Sequence, residues 1–228
     1  MDRSKQAQIV VVGGGHAGIE AAYASARAGV PTVLVSLRQD GIGQMSCNPA
    51  IGGVGKGHLV KELDALGGLM GRAIDATGIQ FKTLNSSKGA AAQATRAQAD
   101  RDLYKGWVQR FLTGVPNLTI VEGEAASVAV EGSAVVGVRL ADGSFLNAGG
   151  VVLTTGTFLR GLMHTGPTQT QGGRLGDKAS NDLSDSLRSL GFSLGRLKTG
   201  TPPRLRRSTI NFEGLVEHPG DTPPPPFS

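Results

Sequence analysis

The sequence has one cysteine, few aromatic side chains and no long hydrophobic run. A single cysteine, Cys47, excludes an internal disulfide and a cysteine-rich metal site, so we expect no metal. The apolar run at residues 9–12 is far too short to span a membrane, and three glycines follow it before it could become a secretory signal. We therefore expect no membrane contact, and without an export signal we expect a cytoplasmic protein.

Glycine, in contrast, is abundant, at 35 of 228 residues, which is about twice the usual share. The sequence has no collagen period and no long low-complexity tract. The glycines are therefore expected at turns and at close backbone approaches.

Basic residues outnumber acidic ones by 23 to 18, and the excess is concentrated in one part of the chain. Residues 160–207 contain nine Lys or Arg and three Asp, and the rest of the chain is close to neutral. A basic segment of this kind favours a polyanionic partner, such as nucleic acid or a phosphate-rich cofactor. A solvated surface explains the charge equally well.

The hydrophobic pattern predicts an α/β fold. In the first half, the predicted elements are a strand at 8–12, a helix at 16–28, a strand at 32–36 and helices at 54–70 and 96–113. From residue 118 the period changes to two, which predicts strands at 118–121, 125–130, 135–140, 144–147 and 151–153, and then a helix at 180–190 with Ser180 or Asn181 as its cap. Residues after 200 are rich in turns and end in a proline run, which favours a cut inside a longer chain over a natural disordered tail.

The most informative local motif follows the first predicted strand. Gly13, Gly15 and Gly18 form a G-x-G-x-x-G fingerprint at the point where a helix begins. Gly13 permits the tight turn, Gly15 lets the backbone approach a pyrophosphate, and Gly18 allows close contact between helix and sheet. The fingerprint predicts dinucleotide binding, with the phosphates at the helix N-terminus.

Two further positions limit what this site can bind. The acidic residue that usually ends the second strand is missing, and Ser36 stands there, so hydroxyl or backbone groups are expected to hold the ribose. The glycine-rich stretch before Lys56 does not fit a P-loop, because Ala50 occupies the first glycine position and Gly57 the closing Ser/Thr position. A nucleoside-triphosphatase is therefore not expected.

The three predicted strands between residues 125 and 147 form a meander, because short turns at 131–133 and 141–143 connect them. A final strand then runs into the small-residue turn at Thr154–Gly156. This order is typical of two-dinucleotide-binding flavoproteins. We therefore expect a Rossmann-like FAD-binding domain of that type with an inserted β-meander, and FAD rather than NAD as its ligand.

Cys47 lies in a polar, glycine-lined loop just before a predicted helix. The helix dipole and nearby Lys56 favour its thiolate, so it is a candidate nucleophile or acid/base. A small buried cysteine that packs against a flavin is the alternative interpretation.

Two strings in the chain resemble the MnmG/GidA family of tRNA uridine modification enzymes: GQMSCNPAIGG at 43–53 and RLKTGTPPR at 196–204. The likeness runs from about residue 9 to the last residue. Ala90 and Gln93 depart from the pattern, where proline and a basic residue are usual. The expected organisation is an FAD-binding domain at 1–205, with a helical insertion at about 80–115 and the meander at about 124–148. Residues 206–228 are then the start of a second, truncated domain.

The resemblance implies an activity. Members use FAD, with methylene-tetrahydrofolate and NADH as co-substrates, and work with the GTPase MnmE to build a carboxymethylaminomethyl-type group at C5 of the wobble uridine of tRNA. The full-length proteins are expected to be homodimers. The family chain continues past residue 228, so we expect the 228-residue chain alone to lack turnover.

The resemblance also assigns site residues. The FAD-binding set is Gly13, Gly14, Gly15, His16, Ala17, Gly18, Gln44, Met45, Ser46, Cys47, Asn48, Ala125, Thr155, Gly156, Thr157 and Ser180. Cys47 is the catalytic candidate, and Arg204, Arg206 and Arg207 are candidate tRNA contacts from the basic span. Two alternatives stay open: a folate- and FAD-dependent tRNA uridine methyltransferase, against which the 43–53 string argues, and a truncated FAD-binding module without turnover.

Overall fold

The computed structural model describes residues 8–46, 48–203 and 205–228. The chain forms two compact units, which each contain two stretches of sequence. The first unit comprises residues up to 44 and residues 108–195, and the second comprises residues 45–107 and 196–228.

Twelve strands and five α-helices occur among the described residues. The strands are β1 (Ile9–Val12), β2 (Thr32–Ser36), β3 (Ala50–Gly52), β4 (Gly78–Leu84), β5 (Ala94–Ala99), β6 (Leu118–Glu122), β7 (Ala125–Glu131), β8 (Ala134–Leu140), β9 (Phe145–Asn147), β10 (Gly150–Leu153), β11 (Leu162–Thr165) and β12 (Thr168–Gln171). The helices are α1 (His16–Arg27), α2 (Lys56–Ala65), α3 (Met70–Thr77), α4 (Arg101–Thr113) and α5 (Asp182–Ser189).

A four-stranded parallel sheet forms the centre of the first unit, with strand order β10-β1-β2-β6. β1 and β2 are almost fully buried, because other elements pack on both faces of the sheet. Their Val, Ile and Leu side chains are therefore shielded from water on either face. Helix α1 connects these two strands and lies against β1, β2 and β10. The predicted β-turn-α-β opening and the α/β fold class are confirmed.

The predicted meander is also confirmed. β7, β8 and β9 pair antiparallel in sequence order, and their bounds differ from the predicted strands by one residue at most. Helix α5 packs on β7, and Leu183 and Leu187 join the buried core formed by the meander and the parallel sheet. This core packs the meander against the parallel sheet, whose strand β1 leads into the fingerprint.

Helix α5 begins later than predicted, at Asp182 instead of Ser180. Ser180 is held in an extended bridge, because its N–H donates to the Phe158 carbonyl and its carbonyl accepts the Arg160 N–H. Asn181 occupies the cap position without a side-chain cap, and its backbone carbonyl accepts the Ser184 N–H. The β11–β12 hairpin, which lies between β10 and α5, was not predicted from the sequence.

The second unit contains an antiparallel sheet of order β3-β5-β4, with α2 and α3 packed on β5. The helix predicted at 54–70 is confirmed at residues 56–65, which form α2, but its extension to residue 70 is wrong. A turn at Gly67, which has a φ of 80°, separates α2 from α3, which was not predicted. The predicted start of a helix at residue 96 is also wrong. Residues 94–99 are a strand, and Asp100 starts α4 by accepting hydrogen bonds from the backbone N–H groups of Asp102 and Leu103.

The stretch at 80–115, expected to be a helical insertion, therefore contains most of β4, all of β5 and only one α-helix. Residues 206–228, expected to start a further domain, pack within the second unit. Asp221 covers the edge of β4, since its N–H donates to the Phe81 carbonyl and its carboxylate accepts the Thr83 N–H. Phe227 is buried, and its backbone N–H donates to Asp75. Among the residues described, no helix is long and apolar enough to cross a membrane.

Candidate functional site

The fingerprint loop lies at the carboxyl end of β1, where the sheet requires glycine at two of its positions. Gly13 has a φ of 116°, and its N–H donates to the Val35 carbonyl at 2.8 Å. A Cβ at Gly13 would lie 2.3 Å from the Thr154 carbonyl oxygen, and a Cβ at Gly18 would lie 1.8 Å from the Gly13 carbonyl oxygen. These glycines allow the close contact between α1, β1 and β10 that the motif predicts.

Gly15 differs from its neighbours. A Cβ at this position would meet no heavy atom within 4 Å, and its φ of −77° is accessible to any residue. The protein itself therefore gives no reason for glycine there. His16 and Ala17 follow as the first residues of α1, so the open space beside Gly15 lies at a helix N-terminus, which favours anions.

A second loop closes on the fingerprint from the β2 side. A Cβ at Gly14 would lie 2.7 Å from the Ser36 hydroxyl, and this hydroxyl donates to the Arg38 carbonyl at 2.9 Å. The Gly43 N–H donates to the Gly14 carbonyl at 3.0 Å. The Gln44 N–H donates to the Gly41 carbonyl, so the first part of the 43–53 string is a turn resting on the fingerprint loop.

The remainder of that string belongs to the second unit. Met45 is buried, Ser46 is exposed, and the Asn48 carbonyl accepts the Ala50 N–H at 2.7 Å. Cys47 lies outside the described residues, so its predicted role as catalyst or flavin contact stays a prediction. The assignment of Met45, Ser46 and Asn48 to the cofactor also stays a prediction.

The loop after β10 contacts the fingerprint on its other side. The Thr154 hydroxyl donates to the Val12 carbonyl at 2.9 Å and lies 3.2 Å from the Gly13 carbonyl oxygen. The cofactor set predicted from the sequence contains the next three residues but not Thr154, although the position of Thr154 directly after β10 is a usable signal. Gly156 has a φ of 57° with open space at its Cβ, and the Thr157 hydroxyl donates to the Gly173 carbonyl at 2.6 Å.

Ser180 and Ala125 complete the predicted set in the first unit. Ser180 is buried, and its hydroxyl oxygen has no hydrogen-bond partner among the described residues. Its backbone is tied to Phe158, whose N–H in turn donates to the Thr155 carbonyl. Ala125 is a buried core residue at the start of β7. The open space beside Gly15 and the unsatisfied buried hydroxyl of Ser180 both fit a bound polar ligand.

The geometry around Lys56 agrees with the rejection of a P-loop. Its ammonium donates to the Ala50 carbonyl of its own loop at 3.2 Å, and the Gly55 N–H donates to His58 Nδ1. Neighbouring protein atoms desolvate the ammonium and lower the pKa of Lys56, although the residue keeps accessible surface. Lys56 therefore stabilises its own loop by this hydrogen bond.

The basic span predicted to bind a polyanion is divided between the two units at residue 196. In the first unit Arg160 and Arg188 both form salt bridges with Asp185, and Arg174 pairs with Asp177. Arg206 and Arg207 are exposed in the second unit, at the start of a 3₁₀ turn, and Arg204 lies outside the described residues. No group of three or more potential metal ligands occurs within the described ranges.

The chain is similar over almost its whole length to proteins of one family. Residues 8–228 match the family model GIDA, described as glucose inhibited division protein A. A relative from Myxococcus xanthus, named tRNA uridine 5-carboxymethylaminomethyl modification enzyme MnmG, is 56% identical over 220 residues. A relative of the same name from Wolinella succinogenes is 53% identical over 220 residues. The matches cover 96% of this chain but only 36% and 35% of those relatives.

Solved structures agree. Aquifex aeolicus GidA in its form II crystal has a TM-score of 0.93 and 51% identity, covering 100% of this chain and 38% of that one. The GidA-related protein from Thermus thermophilus has a TM-score of 0.58 at 24% identity, covering 82% of this chain and 70% of that one, and this is a likeness of fold alone. Because the family model covers nearly every residue and the relatives are more than half identical, the chain belongs to the GidA family.

Proposed function

We propose that this chain forms the FAD-binding part of an enzyme that modifies C5 of the wobble uridine in tRNA with a carboxymethylaminomethyl-type group. The observation that carries the proposal is the open space at Gly15, at the N-terminus of α1, in a chain of the GidA family. The names of the relatives at 56% and 53% identity support the reaction class. Since the chain spans about a third of their length, the whole reaction is proposed for the longer protein.

Residues of the first unit would bind the FAD pyrophosphate. The backbone at Gly15 and the first turn of α1 present N–H groups, and the macrodipole favours the negative charge. Thr154 fixes this loop by its hydrogen bonds to the end of β1. The Ser180 hydroxyl, buried without a partner among the described residues, is free to bond to the cofactor.

Bound FAD would supply redox and one-carbon transfer chemistry, with methylene-tetrahydrofolate and NADH as proposed co-substrates. Uracil C5 is a poor nucleophile until a nucleophile adds at C6, and the Cys47 thiol is our candidate for that addition. The target base has to leave its stack, which an anticodon loop permits. We propose Arg204, Arg206 and Arg207 as contacts to tRNA phosphates. We also propose that the longer protein works with MnmE, forms a homodimer and is located in the cytoplasm.

The test has two parts. The purified chain should bind FAD, seen as a two-banded flavin absorption spectrum. A longer protein containing this chain should convert wobble uridine of unmodified tRNA when given FAD, the folate donor as carbon source, an amine such as an amino acid as nitrogen source, NADH, and MnmE with GTP. Mass analysis of the nucleosides distinguishes an aminomethyl-type product from a methyl group on another uridine. A methylated product would support the methyltransferase alternative, and bound flavin without product in the longer protein would support a binding module.

A further inference from the structure

The end of β2 lacks the residue that usually binds a dinucleotide ribose. In dinucleotide-binding folds an Asp or Glu at this strand end binds the ribose hydroxyls, and a nearby arginine in its place accommodates a ribose 2′-phosphate. This chain has Ser36 at the strand end and Arg38 two residues later. Residue types alone would therefore favour a 2′-phosphorylated ligand.

The charges around Arg38 argue against such a ligand. Its guanidinium donates to both carboxylate oxygens of Asp40, at 2.8 and 2.5 Å, and its Nη1 lies 3.7 Å from the nearer oxygen of Asp177. The hydrogen bond to Asp40 raises the pKa of Arg38, and the negative charges of Asp40, Asp177 and Glu122 add to the effect. Asp177 is itself paired with Arg174 at 2.6 Å. Both arginines are thus matched with carboxylates, so a phosphate here would compete with Asp40 and Asp177.

Glu122 is the remaining acid of this group, and it forms no salt bridge among the described residues. It ends β6, which lies beside β2, and it is in register with Ser36. Its Oε2 accepts the Gln39 N–H at 2.8 Å, which holds the carboxylate against the loop that follows β2. A carboxylate has about four lone-pair sites, so the bond to Gln39 leaves acceptor capacity for ligand hydroxyls.

We infer that Glu122 takes the place of the missing strand-end acid and binds the adenosine ribose hydroxyls of the cofactor, while Asp40 keeps Arg38 from accepting a 2′-phosphate. This inference rests on the proposed function, because it requires an adenine dinucleotide on the first unit. Glu122 is then a binding residue contributed by β6. A search of the sequence at the end of β2, where the ribose-binding acid usually lies, does not find it. The site would select an unphosphorylated ribose.

The experiment displaces FAD from the 228-residue chain with ADP-ribose and with 2′-phospho-ADP-ribose. The unsubstituted chain should prefer ADP-ribose by at least about tenfold, the effect of one charge-assisted hydrogen bond. Glu122→Gln should weaken ADP-ribose about tenfold but keep the bond to Gln39, because an amide oxygen still accepts it. Glu131→Gln, an exposed carboxylate at the end of β7, is the matched control and should change neither affinity.

Asp40→Asn provides a second readout, because it releases Arg38 from its charged partner. It should raise the affinity for 2′-phospho-ADP-ribose about tenfold and leave ADP-ribose within about threefold. Equal affinity of the unsubstituted chain for the two ligands would overturn the inference, as would no effect of Glu122→Gln or an equal loss for both ligands. If the chain fails to bind FAD at all, the proposed function fails; if FAD binds and ADP-ribose does not displace it, only this inference fails.

Discussion

Replacing Gly15 by alanine should weaken FAD binding at least about tenfold and leave the fold intact. The added Cβ would occupy space that no protein atom within 4 Å uses, and the backbone φ of −77° suits alanine. Alanine is a poorer N-cap than glycine, which costs about 0.5–1 kcal/mol. Lower entropy of the unfolded chain returns about 0.4–1 kcal/mol. The unfolding temperature should therefore change by less than about 4 °C, the shift that about 1 kcal/mol produces in a chain of this size.

The loss of affinity should be much larger than the loss of stability. If the methyl group holds the pyrophosphate away from the loop, one or two charge-assisted hydrogen bonds of about 1.5–3 kcal/mol each are lost. At about 1.4 kcal/mol for each factor of ten, FAD should bind roughly ten to ten thousand times more weakly. The assay is equilibrium titration of FAD by its fluorescence, with thermal unfolding of the cofactor-free chain measured in parallel.

Two other glycines give the comparison. Gly195→Ala should change neither stability nor binding, since this Cβ also meets open space and its φ is not in the left-handed range. Gly13→Ala should lose both, because its Cβ would lie 2.3 Å from the Thr154 carbonyl oxygen at a φ of 116°. Unchanged FAD affinity in Gly15→Ala would refute the claim that the pyrophosphate occupies the open space at Gly15. A stability loss as large as that of Gly13→Ala would refute it as well.

Four further predictions concern other parts of the chain. Ser180→Ala should keep or slightly raise the stability of the cofactor-free chain, because it removes an unsatisfied buried hydroxyl, while FAD affinity falls about tenfold; unchanged affinity would show that the hydroxyl does not bind the cofactor. Asp221→Ala should lower the unfolding free energy by about 1–3 kcal/mol, because the Thr83 N–H at the edge of β4 loses its hydrogen-bond acceptor. Replacement of the exposed Glu217 by Ala is the control and should change the unfolding free energy little. In the longer protein, Cys47→Ser should reduce tRNA modification far more than FAD content, and a parallel fall of both would mean a packing role. Joint replacement of Arg206 and Arg207 by Ala should reduce the slope of log affinity for tRNA against log salt by about 0.7 to 0.9 for each phosphate that the variant no longer binds, and an unchanged slope would identify a solvated surface.

Elements with a clear local signal were predicted well. The β1–α1–β2 opening and the meander have simple periods, and short turns fix the pairing of neighbours. The break between α2 and α3 was missed because the apolar spacing continues through Gly67, whose positive φ ends the first helix. The sequence predicts helix from residue 96 because alanine favours helices over strands. Pairing with both β3 and β4 overrides that preference and makes residues 94–99 a strand.

The candidate site was predictable only where one segment contains it. The fingerprint is local, so the close backbone contacts at Gly13 and Gly18 were predicted correctly, while their binding of a cofactor stays a prediction. The contact of Thr154 with the fingerprint loop and the role we propose for Glu122 both depend on parallel pairing between strands more than 80 residues apart. Such pairings depend on the order of the strands in the sheet, and the residues next to each position in the sequence do not indicate that order.

The most direct measurement of the central claim is the mass of the cofactor that the purified chain releases on denaturation after incubation with a mixture of FAD, FMN and NAD. Our account predicts a dinucleotide, because the open space at Gly15 suits a pyrophosphate and the end of β2 suits an adenosine ribose. It predicts FAD over NAD, which has the same two groups, because the β-meander between β6 and β10 is typical of flavoproteins and the chain belongs to the GidA family. FMN lacks both groups and should not be retained. Release of NAD, or of no dinucleotide from a chain shown to be folded by its thermal transition, would contradict the account.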